Sequence, residues 1–224
     1  GIGFTATSGI WQTVWVESVP KTYLQKVKIT PNYDDASVTF LPFVSGEDDY
    51  EGTVTILDDK GNKVNEGVLI KGEETTLKIE NFNSWSPESP YLYTVKYTYG
   101  NDIVDSYFGM RKFSIGVDAK GTKRLFLNNE PYFHNGLLDQ GYWSDGYYTA
   151  PSDEALKYDI IKMKSLGFNM LRKHIKIEPL RWYYHCGKIG MIVWQDKVSG
   201  GYPYNTIIIQ ILHMLRINIR EKYY

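Results

Sequence analysis

Apolar and polar positions change rhythm near residue 115. Before it, Tyr23–Ile29, Ser37–Val44, Gly52–Leu57, Thr75–Ile79, Tyr91–Tyr99 and Ile103–Arg111 are short runs rich in β-branched and aromatic residues. Apolar and polar residues alternate with period two in Thr53–Leu57 and in Tyr91–Tyr99, the pattern of a half-buried strand. Turn residues punctuate the runs at Pro31-Asn32, Ser45-Gly46, Lys60-Gly61-Asn62, Ser86-Pro87 and Gly100-Asn101. The stretch Leu57–Val64 reads as a hairpin connection. About seven strands in roughly 100 residues, with no helical period, predict an immunoglobulin-like β-sandwich. No cysteine pair is present to join two sheets.

After residue 115 strands and helices alternate. Pro131–Leu138 reads as a buried strand. Pro151-Ser152 then opens a helix, with Ser152 as its cap and Asp153 and Glu154 in its first turn. Leu156, Ile160 and Met163 share one face of it, and Gly167 stops it. Phe168–His174 is the next strand. Glu178-Pro179 starts a second helix with proline at its first position, and Gly187 is placed to end it. Ile189–Asp196 is a third strand. Near-continuous apolar strands separated by helices predict a parallel sheet covered on its faces. Ile208, Leu212, Leu215 and Ile219 predict an apolar helical stripe in the tail.

Composition narrows the function. The 224 residues carry 25 Lys and Arg against 26 Asp and Glu, a net charge of −1, which gives no electrostatic footprint for nucleic acid or for an anionic membrane. No stretch reaches the roughly 18 apolar residues of a membrane span. No charged-then-apolar leader is read at the N-terminus, so a cytoplasmic setting is expected. The single cysteine, Cys186, excludes a cysteine-based metal cluster and reads as a packed thiol. His174 and His185 are not at helical metal-pair spacing, and no phosphate-binding loop, dinucleotide fingerprint or nucleophile elbow is present. No metal and no cofactor are expected.

Parallel sheets bind ligands at the carboxyl ends of their strands. Those ends carry Asp139, Arg172 with His174, and Trp194 with Asp196. Charged groups that exchange hydrogen bonds with hydroxyls, beside an indole that stacks on a ring, suit a neutral sugar. Each residue has a plainer reading as well: Arg172 and Asp139 paired with each other, His174 as a satisfied core histidine, Trp194 as core.

The motifs Ser8–Glu17, Trp85–Val95, Phe108–Ser114, Arg124–Trp143 and Asn169–Asp196, in that order, resemble glycoside hydrolase family 2, the family of β-galactosidases, β-glucuronidases and β-mannosidases. The resemblance implies a multidomain β plus α/β chain. Residues 1–17 would close an N-terminal jelly-roll sugar-binding domain and 18–114 would form the sandwich. Residues 118–204 would be the first part of a (β/α)8 TIM barrel, followed by a helical tail at 205–224. It also implies retaining exo-hydrolysis of O-glycosidic bonds by two glutamates. The acid/base of the family follows an asparagine on the fourth barrel strand, and the Asn-Glu pairs here, Asn65-Glu66 and Asn129-Glu130, lie elsewhere. Residues 118–224 are fewer than half of the roughly 250 that a barrel uses. The expectation is an incomplete chain without catalytic residues of its own. Arg172 and His174 would be substrate-binding, from the Arg-x-His of the family signature, with Asp139 and Trp194 as weaker carry-overs. The family pattern has Asp or Asn where Gly187 stands. The expected partner is the β-glycoside substrate of the parent enzyme, and open barrel edges predict self-association. The alternative is a non-catalytic carbohydrate-binding or structural sandwich module.

Overall fold

The computed structural model describes residue 5, residues 7–196 and the backbone of 209–211. By their internal contacts the described residues divide into two units, one within 18–133 and one within 5–17 together with 134–196 and 209–211.

The first unit holds β1 (Tyr23–Asn32), β2 (Ser37–Ser45), β3 (Gly52–Leu57), β4 (Lys63–Leu69), β5 (Thr75–Lys78), β6 (Tyr93–Tyr99), β7 (Asp102–Phe108), β8 (Phe113–Val117), β9 (Lys123–Leu127) and β10 (Glu130–Pro131). One antiparallel sheet runs β1-β2-β5 and another β4-β3-β6-β7. The period-two pattern decides their inner faces. Val54 and Ile56 of β3 are buried, as are Tyr93, Val95, Tyr97 and Tyr99 of β6. Phe40 of β2 meets Tyr97 edge-on at 6.1 Å and Phe108 at 6.2 Å, so the two sheets share one core. The buried Asp102 of β7 accepts the Leu24 N–H of β1 at 2.8 Å. The Leu57–Val64 connection is a hairpin: the Asp58 carboxylate takes the N–H groups of Lys60 and Asn62, and Gly61 turns with φ +82°. A small sheet, β10-β9-β8, follows the sandwich within this unit.

The second unit contains β11 (Gly136–Asp139), α1 (Asp153–Ser165), β12 (Met170–Lys173), α2 (Leu180–Ile189), β13 (Ile192–Asp196) and β14 (Ile209–Ile211). β11, β12 and β13 are parallel neighbours, and β14 adds antiparallel to β13. Ser152 caps α1 by accepting the Ala155 N–H, and Leu156 and Ile160 are buried beneath it. No described helix is long and apolar enough to cross a membrane.

Four local expectations differ from what forms. The strand expected over Pro131–Leu138 is confined to β11. Phe133 is 78% exposed and Leu138 55% exposed, because Glu130–Pro131 are used in a separate hairpin with β9. Pro179 sits at the cap of α2, not at its first position; its ψ of 146° is extended. Gly187 lies inside α2 and is buried. The helix ends at Gly190, where φ is +90° and the N–H reaches back to the Cys186 carbonyl, the left-handed stop that glycine supplies without strain. In the tail, residues 209–211 are strand, not helix. The isoleucine run has stiff β-branched side chains, and β13 offers an edge to pair with. Ile208, Leu212, Leu215 and Ile219, the expected stripe, lie outside the described residues.

Candidate active site

Residues paired in register across parallel strands project to the same face. Leu138, Arg172 and Trp194 form one such row, and Asp139, Lys173 and Gln195 the next, on the opposite face. This alternation sorts the expected site residues.

Arg172 lies beside Asp196 on the first face. Its Nε and Nη2 donate to Asp196 Oδ1 and Oδ2, each at 3.0 Å, a bidentate fork that fixes the guanidinium plane. Asp196 is buried. The His174 Nε2 is 4.0 Å from Asp196 Oδ2, and its Nδ1 meets the Gln140 side-chain amide at 3.2 Å. Trp194 donates its indole N–H to His134 Nδ1 at 2.8 Å, with the two rings edge to face. Burial pushes the His134 imidazole below its ordinary pKa, which favours the neutral ring that this acceptor role requires. Arg172, His174 and Trp194 thus come together at the carboxyl ends of β12 and β13, ordered by Asp196, Gln140 and His134.

Asp139 parts from them. Its Oδ2 pairs with Lys173 at 2.8 Å and its Oδ1 accepts the Gly141 N–H at 2.8 Å. The pairing of Asp139 with Arg172 does not form; Asp196 takes that cation. On this second face lies a buried charge cluster. Lys173 and Lys176, each 1% exposed at the side chain, both approach Oε1 of Glu178, at 2.9 and 3.0 Å. Glu178 is itself 3% exposed. Lys176 also donates to the carbonyls of Tyr148 (2.8 Å) and Gly141, and its ammonium sits over the Tyr148 ring at 4.6 Å and the Trp11 ring at 5.4 Å. Lys173 lies over Trp182 of α2 at 4.3 Å. Burial depresses the Lys176 pKa, against the opposing pull of Glu178. Tyr183 donates to Gln195 Oε1, and burial raises its pKa, so the phenol keeps its proton.

Two clefts flank these clusters. One of about 180 Å³ beside His174 is lined by Gln140, Tyr142, Tyr148, Ile175 and Thr5. The other, about 300 Å³, lies between β11 and α1 and is lined by Leu137, Asp139, Trp143, Asp159 and Met163. Desolvation and the Asp139 charge push the Asp159 carboxyl up. Among the described residues no group of His, Cys, Asp and Glu is placed to hold a metal ion.

The sequence reading passed over Gln140, His134 and the Lys173–Lys176–Glu178 cluster. The legible signal for the last was three charged residues within six positions, interleaved with Ile175 and Ile177, since charges in such a run are buried only as partners. Gln140 and His134 left no signal, because their roles depend on strand register.

Residues 22–111 match the family model for Glycosyl hydrolases family 2. The chain is 26% identical over 237 residues to a putative beta-glucuronidase of Formosa agariphila, covering 98% of this chain and 28% of that protein. It is 28% identical over 223 residues to a beta-galactosidase of Oenococcus oeni, covering 89% and 21%. Among solved structures, a Faecalibacterium prausnitzii beta-glucuronidase superposes with a TM-score of 0.67 at 27% identity, covering 78% of this chain and 28% of that one. A Ruminococcus gnavus beta-glucuronidase in complex with D-glucuronic acid shares the fold at TM-score 0.70 and 19% identity. These matches make the chain similar, over part of its relatives' length, to proteins of glycoside hydrolase family 2. It spans between about a fifth and a third of the proteins it matches.

Proposed function

We propose that these residues are the sandwich and the opening β/α units of a (β/α)8 barrel from a retaining exo-β-glycosidase. Residues 18–114 would form the sandwich and 118–204 the barrel units, with 1–17 the end of a preceding jelly roll. The catalytic glutamates would lie on other segments. The supporting observation is the Arg172–Asp196 fork with His174 and Trp194 at the carboxyl ends of adjacent parallel strands, the end at which barrels bind substrate. Asp196 holds Nε and one Nη of Arg172, and the remaining guanidinium N–H groups are left to address sugar hydroxyls. The His134 contact fixes the indole of Trp194, whose face would stack on the sugar ring. The activities by which the relatives are named, β-galactosidase and β-glucuronidase, support a β-glycoside substrate.

The test uses the 224-residue chain. Nitrophenyl β-galactoside, β-glucuronide and β-mannoside should show no turnover above blank. Galactose or glucuronate should shift the Trp194 indole NMR signal with a Kd of the order of 1 mM or weaker, about −4 kcal/mol or less, and Arg172→Ala should abolish the shift. Turnover that survives repurification would refute the placement of the glutamates. An indole signal that no sugar moves would refute the binding site and leave a structural sandwich module.

A further inference from the structure

We propose that Gln140 is the positioning residue of this site: its side-chain amide donates to His174 Nδ1 and so fixes the His174 proton on Nε2, the nitrogen facing Asp196. The inference rests on the reading of Arg172 and His174 as sugar-binding, and it deepens that reading.

The geometry comes from both sides of the imidazole. The two nitrogens of a neutral histidine differ in role, and the partner of one decides where the proton sits on the other. Nδ1 is 3.2 Å from the Gln140 amide nitrogen, and Nε2 is 4.0 Å from Asp196 Oδ2. Asp196 already accepts two hydrogen bonds from Arg172 and, as a carboxylate, can only accept. A bare Nε2 lone pair aimed at it would be repelled, whereas an Nε2–H is attracted. The remaining lone pair then lies on Nδ1, and it needs a donor. Gln140 supplies one, and its amide carries no charge, so it selects a tautomer without favouring the imidazolium.

Gln140 can do this only if its backbone is held still, and the buried charge cluster holds it. The His174 N–H donates to the Asp139 carbonyl at 2.8 Å, which carries the parallel ladder one step past β11 and β12 and brings residues 140 and 174 side by side. Asp139 Oδ1 closes a tight turn onto the Gly141 N–H. Gly141 adopts φ +58°, and a Cβ there would lie 2.0 Å from Glu178 Oε1 and 2.9 Å from Lys176 Nζ. Lys176 takes the Gly141 carbonyl from beneath. Both neighbours of Gln140 are therefore tied to the Lys173–Lys176–Glu178 cluster, Asp139 through Lys173 and Gly141 through Lys176. This gives the buried ions a role that apolar packing would not reproduce: they anchor one short turn.

The experiment is long-range proton–nitrogen NMR on the full chain with labelled histidine, at about pH 8, above the ordinary imidazole pKa of roughly 6.5. His174→Asn identifies the His174 signals by their loss. The expected wild-type pattern is a bare Nδ1 and a protonated Nε2, with a bias of roughly five- to tenfold from one hydrogen bond. Gln140→Met keeps length and apolar contact but removes the donor, and should lower the Nε2–H excess to what Asp196 alone supports. Gln140→Glu offers an acceptor and should move the proton to Nδ1. A wild-type His174 protonated on Nδ1 or evenly mixed would overturn the proposal, and beyond the His174→Asn assignment this measurement needs no variant to fold. An Nε2–H population unchanged in folded Gln140→Met would also overturn it. The tautomer is read without sugar, so failure of sugar binding at Trp194 would leave this result standing and count against the proposed function alone.

Discussion

Glu178→Gln is the most informative perturbation of the second unit. In the native structure one carboxylate oxygen lies 2.9 Å from Lys173 and 3.0 Å from Lys176. At an effective dielectric of about 20, each contact near 3 Å carries a gross attraction of roughly 5–6 kcal/mol. Much of that is offset by the several kcal/mol lost in desolvating each ion and by repulsion between the two ammonium groups. Removing the charge of Glu178 while leaving both lysines buried abolishes the attraction but not those penalties, and Asp139 makes a close ion pair with Lys173 while acting on Lys176 from further away. The expected net loss is that of breaking a buried pair, about 3–5 kcal/mol. In urea melts of the full chain, the midpoint of the transition reporting β12 and β13 should fall by more than about 1 M. Adding Lys176→Met removes one stranded charge and should recover about 1 kcal/mol or more, which makes the pair non-additive. A loss under about 1 kcal/mol, or strict additivity in the double variant, would refute the view that these ions depend on one another.

The tie between α1 and α2 should give the protein an acid-sensitive step. Burial raises the Asp153 pKa, but hydrogen bonds from His185 and Lys157 outweigh it and hold the carboxyl below the ordinary aspartate range. A depressed folded pKa stabilises above the unfolded value of about 3.9, and the contribution is lost as pH falls through the folded value. Asp153→Asn should therefore cost about 1 kcal/mol at neutral pH and flatten the stability profile below about pH 4; an unchanged acid limb would count against it. Gly141→Ala should destabilise the second unit by about 1–3 kcal/mol, because it combines strain at φ +58° with a clash onto the ion cluster; a melt within about 0.5 kcal/mol of the parent would contradict this. The outer edge of β11 pairs with no described strand, and Leu138 beside it is exposed, so the chain should self-associate at tens of micromolar. Leu138→Lys should shift light scattering toward monomer, and a wild-type chain that is already monomeric and binds no hydrophobic dye would dispose of the idea.

Local information sufficed where periodicity and punctuation agree. The strands of the sandwich follow from alternation and β-branched content, and α1 from Ser152, its acidic first turn and the Leu156–Ile160 face. The order strand, helix, strand, helix, strand, and the siting of Arg172, His174 and Trp194 at strand ends, are likewise written along the chain, because hydrophobic period and turn chemistry act over a few residues. The sequence by itself could not say which cation Asp139 or Asp196 would hold. Both aspartates end a strand and both have a basic residue in reach; only the register of β11 against β12 and β13 puts Asp139 with Lys173 and Asp196 with Arg172, on opposite faces of the sheet. Nor could it show that Lys173, Lys176 and Glu178 are interior, since ions enter a core only when distant segments supply partners, here the carbonyls of Gly141 and Tyr148 and the rings of Trp11 and Trp182. The end of α2 was decided in the same way. Gly187 and Gly190 are equal as symbols, and the stop fell where the left-handed backbone lets Met191 enter the core and start the path into β13. A contact within one turn is a property of neighbouring residues, whereas a contact across a sheet depends on how the whole unit closes.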